Sequence, residues 1–277
     1  MIKALIVLGL IFLIIALILG IDPLIRWKQK RLANQPFPTD WIVILERNIP
    51  FYNNLPKTLR LKLQGYINVL LNTKQFKGCG GLNLTDEIKV TIAGIASLLL
   101  LNDQGNYYPK LRLILVYPAA FLASQTTPIG DQYLKEQQVK SGESWGIGVL
   151  VLSWQTIRYD VKHWQDGRNV ILHEFAHQLD QEGGRASGVP ILEKRSDYVT
   201  WARVFQNEYE QLCRDIQRGL PTIIDEYGAT DPAEFFAVAT ETFFEKPLQM
   251  QRQHPELYNI LKHYYKLDPG GWMGELS

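Results

Sequence analysis

The spacing of apolar and polar positions divides the chain into two kinds of segment. Residues Ala4 to Ile21, ALIVLGLIFLIIALILGI, run for 18 residues without a polar side chain. As a helix they would extend roughly 27 Å, close to the thickness of a bilayer's hydrocarbon. A core helix would show a polar stripe, so this run predicts a transmembrane helix. Further along, the pattern becomes periodic. Leu59 to Leu71 and Asp86 to Leu101 repeat apolar residues at three and four spacing and predict helices, the second capped by Thr85. LRLILVY (Leu111 to Tyr117), stopped by Pro118, and GIGVLVLSW (Gly146 to Trp154) predict strands. Helices are expected again over Val170 to Leu179, Asp197 to Gln217, Pro232 to Phe244 and Pro255 to Tyr265. Strands early and helices late predict an α+β fold.

Charge sharpens this division. The 277 residues hold 29 Lys+Arg against 28 Asp+Glu, a net charge of +1, which excludes a global basic field for nucleic acid. Lys3, Arg26, Lys28, Lys30 and Arg31 against Asp22 give residues 1–31 a net +4 and leave −3 for the remainder. The basic cluster RWKQKR directly after the apolar run orients it with the N-terminus outside. A cleaved export signal would carry its basic residues ahead of the run and a small-residue site behind it. The expectation is a single-pass membrane anchor over residues 1–31 and, after the connection NQPFPT, one catalytic domain over 32–277 on the cytoplasmic side. Cys79 and Cys213 match no disulfide framework or metal motif, which agrees with a reducing compartment.

The sharpest chemical signal is HEFAH, residues 173–177. On a helix, positions i and i+4 share a face, so His173 and His177 can present two imidazoles to one cation. Glu174, one step round, can then act as general base on a zinc-activated water. The uncharged NVIL before the motif suits a buried metal helix. No histidine stands six residues after His177, where Gly183 lies, so the metzincin pattern is excluded. His163, His254 and His263 sit in polar surroundings that suit solvated surface. The better source of a third ligand is DPAEFFAVATETFFE, where Glu234, Glu241 and Glu245 lie on an otherwise apolar stripe and need partners. Glu234 is preferred over Glu241 because Tyr227, seven residues earlier, offers a phenol to the oxyanion of a tetrahedral intermediate. Glu241 and Asp180 then become candidates to orient the ligating imidazoles, or else pair with surface Lys or Arg.

Four blocks carry a family resemblance: SGESWGIGVLVLSW, NVILHEFAHQLD, RASGVP and YGATDPAEFFAVATETFF. In order and separation they resemble the MtfA family of zinc peptidases, over roughly residues 50 to 270. The resemblance implies a zincin-like gluzincin core similar to the catalytic domain of anthrax lethal factor, with aminopeptidase-like activity on small substrates. It implies one Zn2+ held by His173, His177 and Glu234, Glu174 as general base, and, through lethal factor, an oxyanion role for Tyr227. The best-known member is soluble, binds a repressor and lacks an apolar stretch like residues 4–21, so the chemistry is carried over and the repressor is not.

Two of these blocks also have readings of their own. GIGVLVLSW reads as an edge strand to which an extended peptide adds, or as an interior strand. RASGVP closes a turn beside the metal helix, with a substrate contact from Arg185 as the alternative. The expected function is therefore a membrane-anchored zinc metallopeptidase acting on a peptide or protein substrate, with any regulatory protein partner unidentified. The competing function is a zinc-containing module that sequesters a cytoplasmic regulator with little or no hydrolysis.

Overall fold

Two runs rich in Leu and Val pair side by side in the computed structural model, which describes residues 23–101, 107–119, 128–129, 132–133, 142–145 and 148–272. They form parallel strands β2 (Leu113–Tyr117) and β6 (Val149–Ser153), with Leu113 opposite Val149 and Tyr117 opposite Ser153. Strand β1 (Gln75–Gly78) adds in parallel to β2, and β5 (Gly142–Trp145) adds antiparallel to β6. The sheet order is β1-β2-β6-β5, while β3 (Pro128–Ile129) and β4 (Gln132–Tyr133) form a separate two-stranded ladder. Of the two readings of GIGVLVLSW, the interior one holds. Leu150, Val151 and Leu152 are all buried, as a strand covered on both faces requires, and among the described residues the outermost strand on that side is β5.

The helices enclose this sheet. Residues 23–33 form α1, followed by α2 (Thr39–Asn48), α3 (Lys57–Thr73) and α4 (Asp86–Leu98). Both α2 and α3 pack on α4. Thr85 caps α4 as expected, accepting from Ile88 N. The helix stops at Leu98, short of the expected Leu101, and a turn takes up the remaining leucines. Trp154, expected to end a strand, opens α5 (Trp154–Lys162), because the Ser153 hydroxyl caps it by accepting from Thr156 N. Then follow α6 (Val170–Glu182), α7 (Arg195–Gln217), α8 (Pro232–Glu245), α9 (Pro247–Gln253) and α10 (Pro255–Tyr265). The expected α+β class holds.

At the centre α6 packs against α8 on one side and β5 and β6 on another. Both helices are buried over most of their length. Ile171, Leu172, Phe175 and Ala176 are buried on α6, and Phe235, Phe236, Val238 and Phe243 on α8. Such side chains each contribute about 1.5–3 kcal/mol when fully buried, so this pair is a firmly held platform for a functional site.

The expected membrane anchor is corrected. Among the described residues no helix is long and apolar enough to cross a membrane. The long helix α7 carries Arg195, Asp197, Arg203, Glu208, Glu210, Arg214 and Asp215, and α1 carries Arg26, Lys28, Lys30 and Arg31. Charges at that density cannot sit in hydrocarbon. The segment Ala4 to Ile21 itself lies outside the described residues, and the single-pass, cytoplasm-facing localisation is withdrawn.

The loop after α6 returns over the start of α8 and fixes their relative position. Gly188 has φ +75°, and a Cβ there would meet the Pro232 carbonyl oxygen at 2.3 Å. Gly188→Ala therefore strains the backbone and separates the two elements at once. We expect it to lower stability by roughly 1–3 kcal/mol, read as a drop in Tm by calorimetry. An unchanged Tm would show that this approach bears no load.

Candidate metal centre

Helix α6 starts where its free N–H groups are met by acids. Asn169 is the N-cap, its side chain accepting from Leu172 N at 3.1 Å. Asp160 of α5 accepts from Val170 N at 2.8 Å. Glu245 of α8 accepts from Gly167 N at 2.9 Å, Arg168 N at 3.0 Å and Asn169 Nδ2 at 3.1 Å. Glu241, one turn earlier on α8, accepts from Asn169 N with one oxygen and from His173 Nδ1 at 2.7 Å with the other. Acids on the apolar stripe of α8 did need partners, and Glu241 and Glu245 find them in backbone N–H groups, the Asn169 amide and one imidazole at the start of α6.

Helix α8 starts with equal care. Asp231 caps it by accepting from Ala233 N and Glu234 N, and Pro232 takes the first helical position, where no N–H is needed. Glu234 thus stands in the first turn, where the helix dipole favours negative charge.

These two starts bring three expected residues together. His173 Nε2 lies 3.0 Å from Glu234 Oε2, His177 Nε2 lies 3.3 Å from the same oxygen, and the two Nε2 atoms are 3.2 Å apart. A carboxylate can only accept, so the bond to Glu241 puts a proton on His173 Nδ1 and leaves its Nε2 with a lone pair. Three lone pairs then face one point, which is stable only with a cation or proton among them. His173, His177 and Glu234 form the group suited to a metal ion among the described residues.

The electrostatics agree. Burial alone would lower the His173 pKa, but Glu241 and Glu234 outweigh it and hold the imidazole well above its ordinary range. For Glu234, burial opposes the charged form, yet the two imidazoles, when either carries the shared proton, keep the carboxyl far below the usual carboxylate range. Glu174, beside them, is buried, and its Oε2 has no hydrogen-bond partner. Desolvation pushes this carboxyl up to about 7, against the pull of the two histidines.

Tyr227 lies half-buried in the turn Glu226–Ala229, its ring centroid 6.0 Å from that of His173. Burial, then the charge of Glu234, raises the phenol to about 12, so it keeps its proton at neutral pH. The turn is anchored by Asp225, which accepts from Tyr227 N and pairs with Arg168 just ahead of α6.

The remaining candidates lie apart from the cluster. Asp180 accepts from the N–H groups of Ser187, Gly188 and Val189 at 2.7–3.0 Å, so it binds the following loop and touches neither imidazole. His163 bonds to the Tyr159 carbonyl, His254 to Glu208, and His263 faces Asp197. Arg185 is exposed, and Cys79 and Cys213 are free thiols. Sequence reasoning missed the part played by Asp160 and by strand β5. Asp160 shares the buried face of α5 with Ile157, a stripe too short to stand out in a mostly polar helix, and β5 (GESW) is too short and polar to read as a strand.

Comparison with known proteins agrees with the geometry. A family model described as glucose-regulated metallo-peptidase M90 matches residues 24–266. An uncharacterized protein of Synechocystis sp. is 47% identical over 271 residues, 97% of this chain and 98% of its own. Proteins named Mlc titration factor A from Yersinia pestis and Yersinia pseudotuberculosis are each 30% identical over 256 residues, 89% of this chain and 91% of theirs.

Asp160 supplies a pH test of the acid-held start of α6. Desolvation raises its pKa from 3.8 to about 7, against the bond from Val170. Between those values the folded state binds the extra proton, so the contribution is complete below about pH 4 and is lost as pH rises through 7. Asp160→Asn keeps a neutral acceptor for Val170 N. The stability of wild type relative to this variant should therefore fall by a few kcal/mol from pH 4 to 7 and then level off, as read by denaturant unfolding. A pH-independent difference would rule this out.

Proposed function

The chain belongs to the glucose-regulated metallo-peptidase M90 family, and from that premise we propose that it is a zinc-dependent peptidase with Glu174 as its general base. The observation that carries this reading is the convergence of His173 Nε2, His177 Nε2 and Glu234 Oε2 at 3.0–3.3 Å, beside a buried carboxyl with an unpartnered oxygen. Donors about 2.0–2.1 Å from a tetrahedral zinc stand roughly 3.3 Å apart, so the spacing suits that ion. Zinc held there by His173, His177 and Glu234 supplies Lewis acidity, polarising the scissile carbonyl and acidifying a water molecule.

The chain's own residues do the rest. Glu174, with its carboxyl near neutrality, is matched to taking a proton from the attacking water and returning it to the leaving nitrogen. Tyr227 keeps its proton and donates the O–H to the developing oxyanion. Glu241 fixes the tautomer and orientation of His173. Strand β5, outermost on its side among the described residues and packed against α6, supports pairing with an extended substrate backbone.

A second reading has one observation behind it: relatives at 30% identity carry the name Mlc titration factor A. A protein that titrates a regulator needs a binding surface and no base. The buried, solvent-starved Glu174 favours catalysis, because a carboxyl without that task is costly to keep there.

Glu174→Gln should keep its zinc and lose peptide hydrolysis by about 10²–10⁴-fold. Equal rates in wild type and variant, both metal-loaded, would instead support the binding module. His173→Ala and Glu234→Ala should lose the metal itself, measured by metal content after dialysis. Retention in Glu234→Ala with loss in Glu241→Ala would reverse the ligand assignment. Tyr227→Phe should lower kcat by roughly 10²-fold with metal content unchanged; an unaltered kcat would remove the phenol from the mechanism.

A further inference from the structure

Helices α7 and α10 enclose a cleft of about 370 Å³ that the metal centre does not use. That size falls in the range of small-molecule sites. Its floor is apolar, made by Leu192, Trp201, Val204, Ile260 and Tyr264. Its rim carries two ion pairs and one His–Asp contact between the two sides: Arg203–Glu256 at 2.9 Å, Glu193–Lys266 at 3.1 Å and Asp197–His263 at 3.8 Å. Because Asp197 meets His263 while Arg203 meets Glu256, the helices run antiparallel. The Arg203–Glu256 pair lies at one end of the trough and the other two contacts at the opposite end.

This arrangement selects a ligand chemistry. Asp197 and Arg203 are six residues apart, about 9 Å along α7. Each end offers an acid and a base, so a molecule with an ammonium at one terminus and a carboxylate at the other finds an opposite charge at both. The pairs are at the surface and worth little in themselves, so exchanging a partner for a ligand charge costs little. Thr200 and Asn259 add polar side chains to the lining. An extended dipeptide is about 7 Å long, with two side chains to lay on that floor.

We propose that the α7/α10 cleft binds short peptides with free termini and apolar side chains, at a site separate from the metal centre. The choice of a peptide rests on the peptidase reading. The cleft also reaches the metal helix, since Trp201 Nε1 donates to the Gly188 carbonyl at 2.9 Å and Gly188 N donates to Asp180 of α6. Occupancy of the cleft thus bears on the loop that sets α6 against α8.

The test is calorimetric titration of the full chain, as Glu174→Gln to prevent turnover, with the dipeptide Leu-Leu. Saturable binding is expected. Arg203→Ala, a surface change that leaves the core intact, and Thr200→Trp, which fills the trough, should each weaken it about tenfold or more. N-acetyl-Leu-Leu-amide should bind worse by a similar factor. Absence of heat at millimolar peptide, unchanged affinity in both cleft variants, or equal affinity for the capped peptide overturns the proposal. Heat reports binding and not hydrolysis, so a chain that cleaves nothing and still binds Leu-Leu in the cleft would sink the peptidase reading alone.

Discussion

The hold of α8 carboxylates on the start of α6 is the constraint from which the site follows. Glu241 spans the two helices, one oxygen on the Asn169 N–H and the other on His173 Nδ1. Glu245, one turn on, takes the N–H groups of Gly167 and Arg168 and the Asn169 amide. A buried carboxylate costs several kcal/mol unless its oxygens are bonded. Sliding α8 by one turn would put one acid in the other's place and leave the second without donors. The apolar faces of the two helices could slide past each other with modest loss, but the acids cannot, so they fix the register. Register in turn brings Glu234, two turns before Glu241, to the Nε2 atoms of both histidines.

The same grip creates an electrostatic demand. Asp160, Glu174, Glu234, Glu241 and Glu245 all crowd around the first two turns of α6. Backbone N–H groups bond Asp160, Glu241 and Glu245 and offset part of this demand, although burial still raises the pKa of all three carboxyls. Glu234 is answered by the two imidazoles, the Tyr227 hydroxyl and its place in the first turn of α8, while Glu174 Oε2 has no hydrogen-bond partner. The unmet part of this negative charge lies where three ligand atoms converge, which is where a divalent cation would be most strongly attracted. Burial that makes this costly also makes it chemically useful, since it lifts the Glu174 carboxyl to about 7, where it exchanges protons readily.

Order at the site extends outward through the loops on both sides of α6. Ahead of the helix, Arg168 pairs with Asp225, whose side chain positions Tyr227. Behind it, Asp180 gathers the N–H groups of residues 187–189, and Gly188 sits close against Pro232 while accepting from Trp201. Thus α7, with the cleft it shares with α10, is mechanically continuous with the metal helix, although its side chains do not enter the metal centre.

Much of this was legible in the chain. The i, i+4 histidines, the acids on an apolar stripe and the Asp-Pro start of α8 are local patterns, and local patterns survive without knowledge of the fold because helix periodicity is set by the backbone. The apolar run of residues 4–21 shows the limit of that reasoning, since composition speaks of hydrophobicity and not of location. Partner choice was beyond reach as well. Asp180 looked as suited to an imidazole as Glu241, yet it captures a loop, and GIGVLVLSW could not reveal whether a neighbour covered its edge. What the sequence by itself determined was which residues can do chemistry and on which helical face they lie. Only the tertiary structure decided which distant carboxylate meets which nitrogen, because hydrogen bonds act over about 3 Å and helix packing alone sets separations that fine.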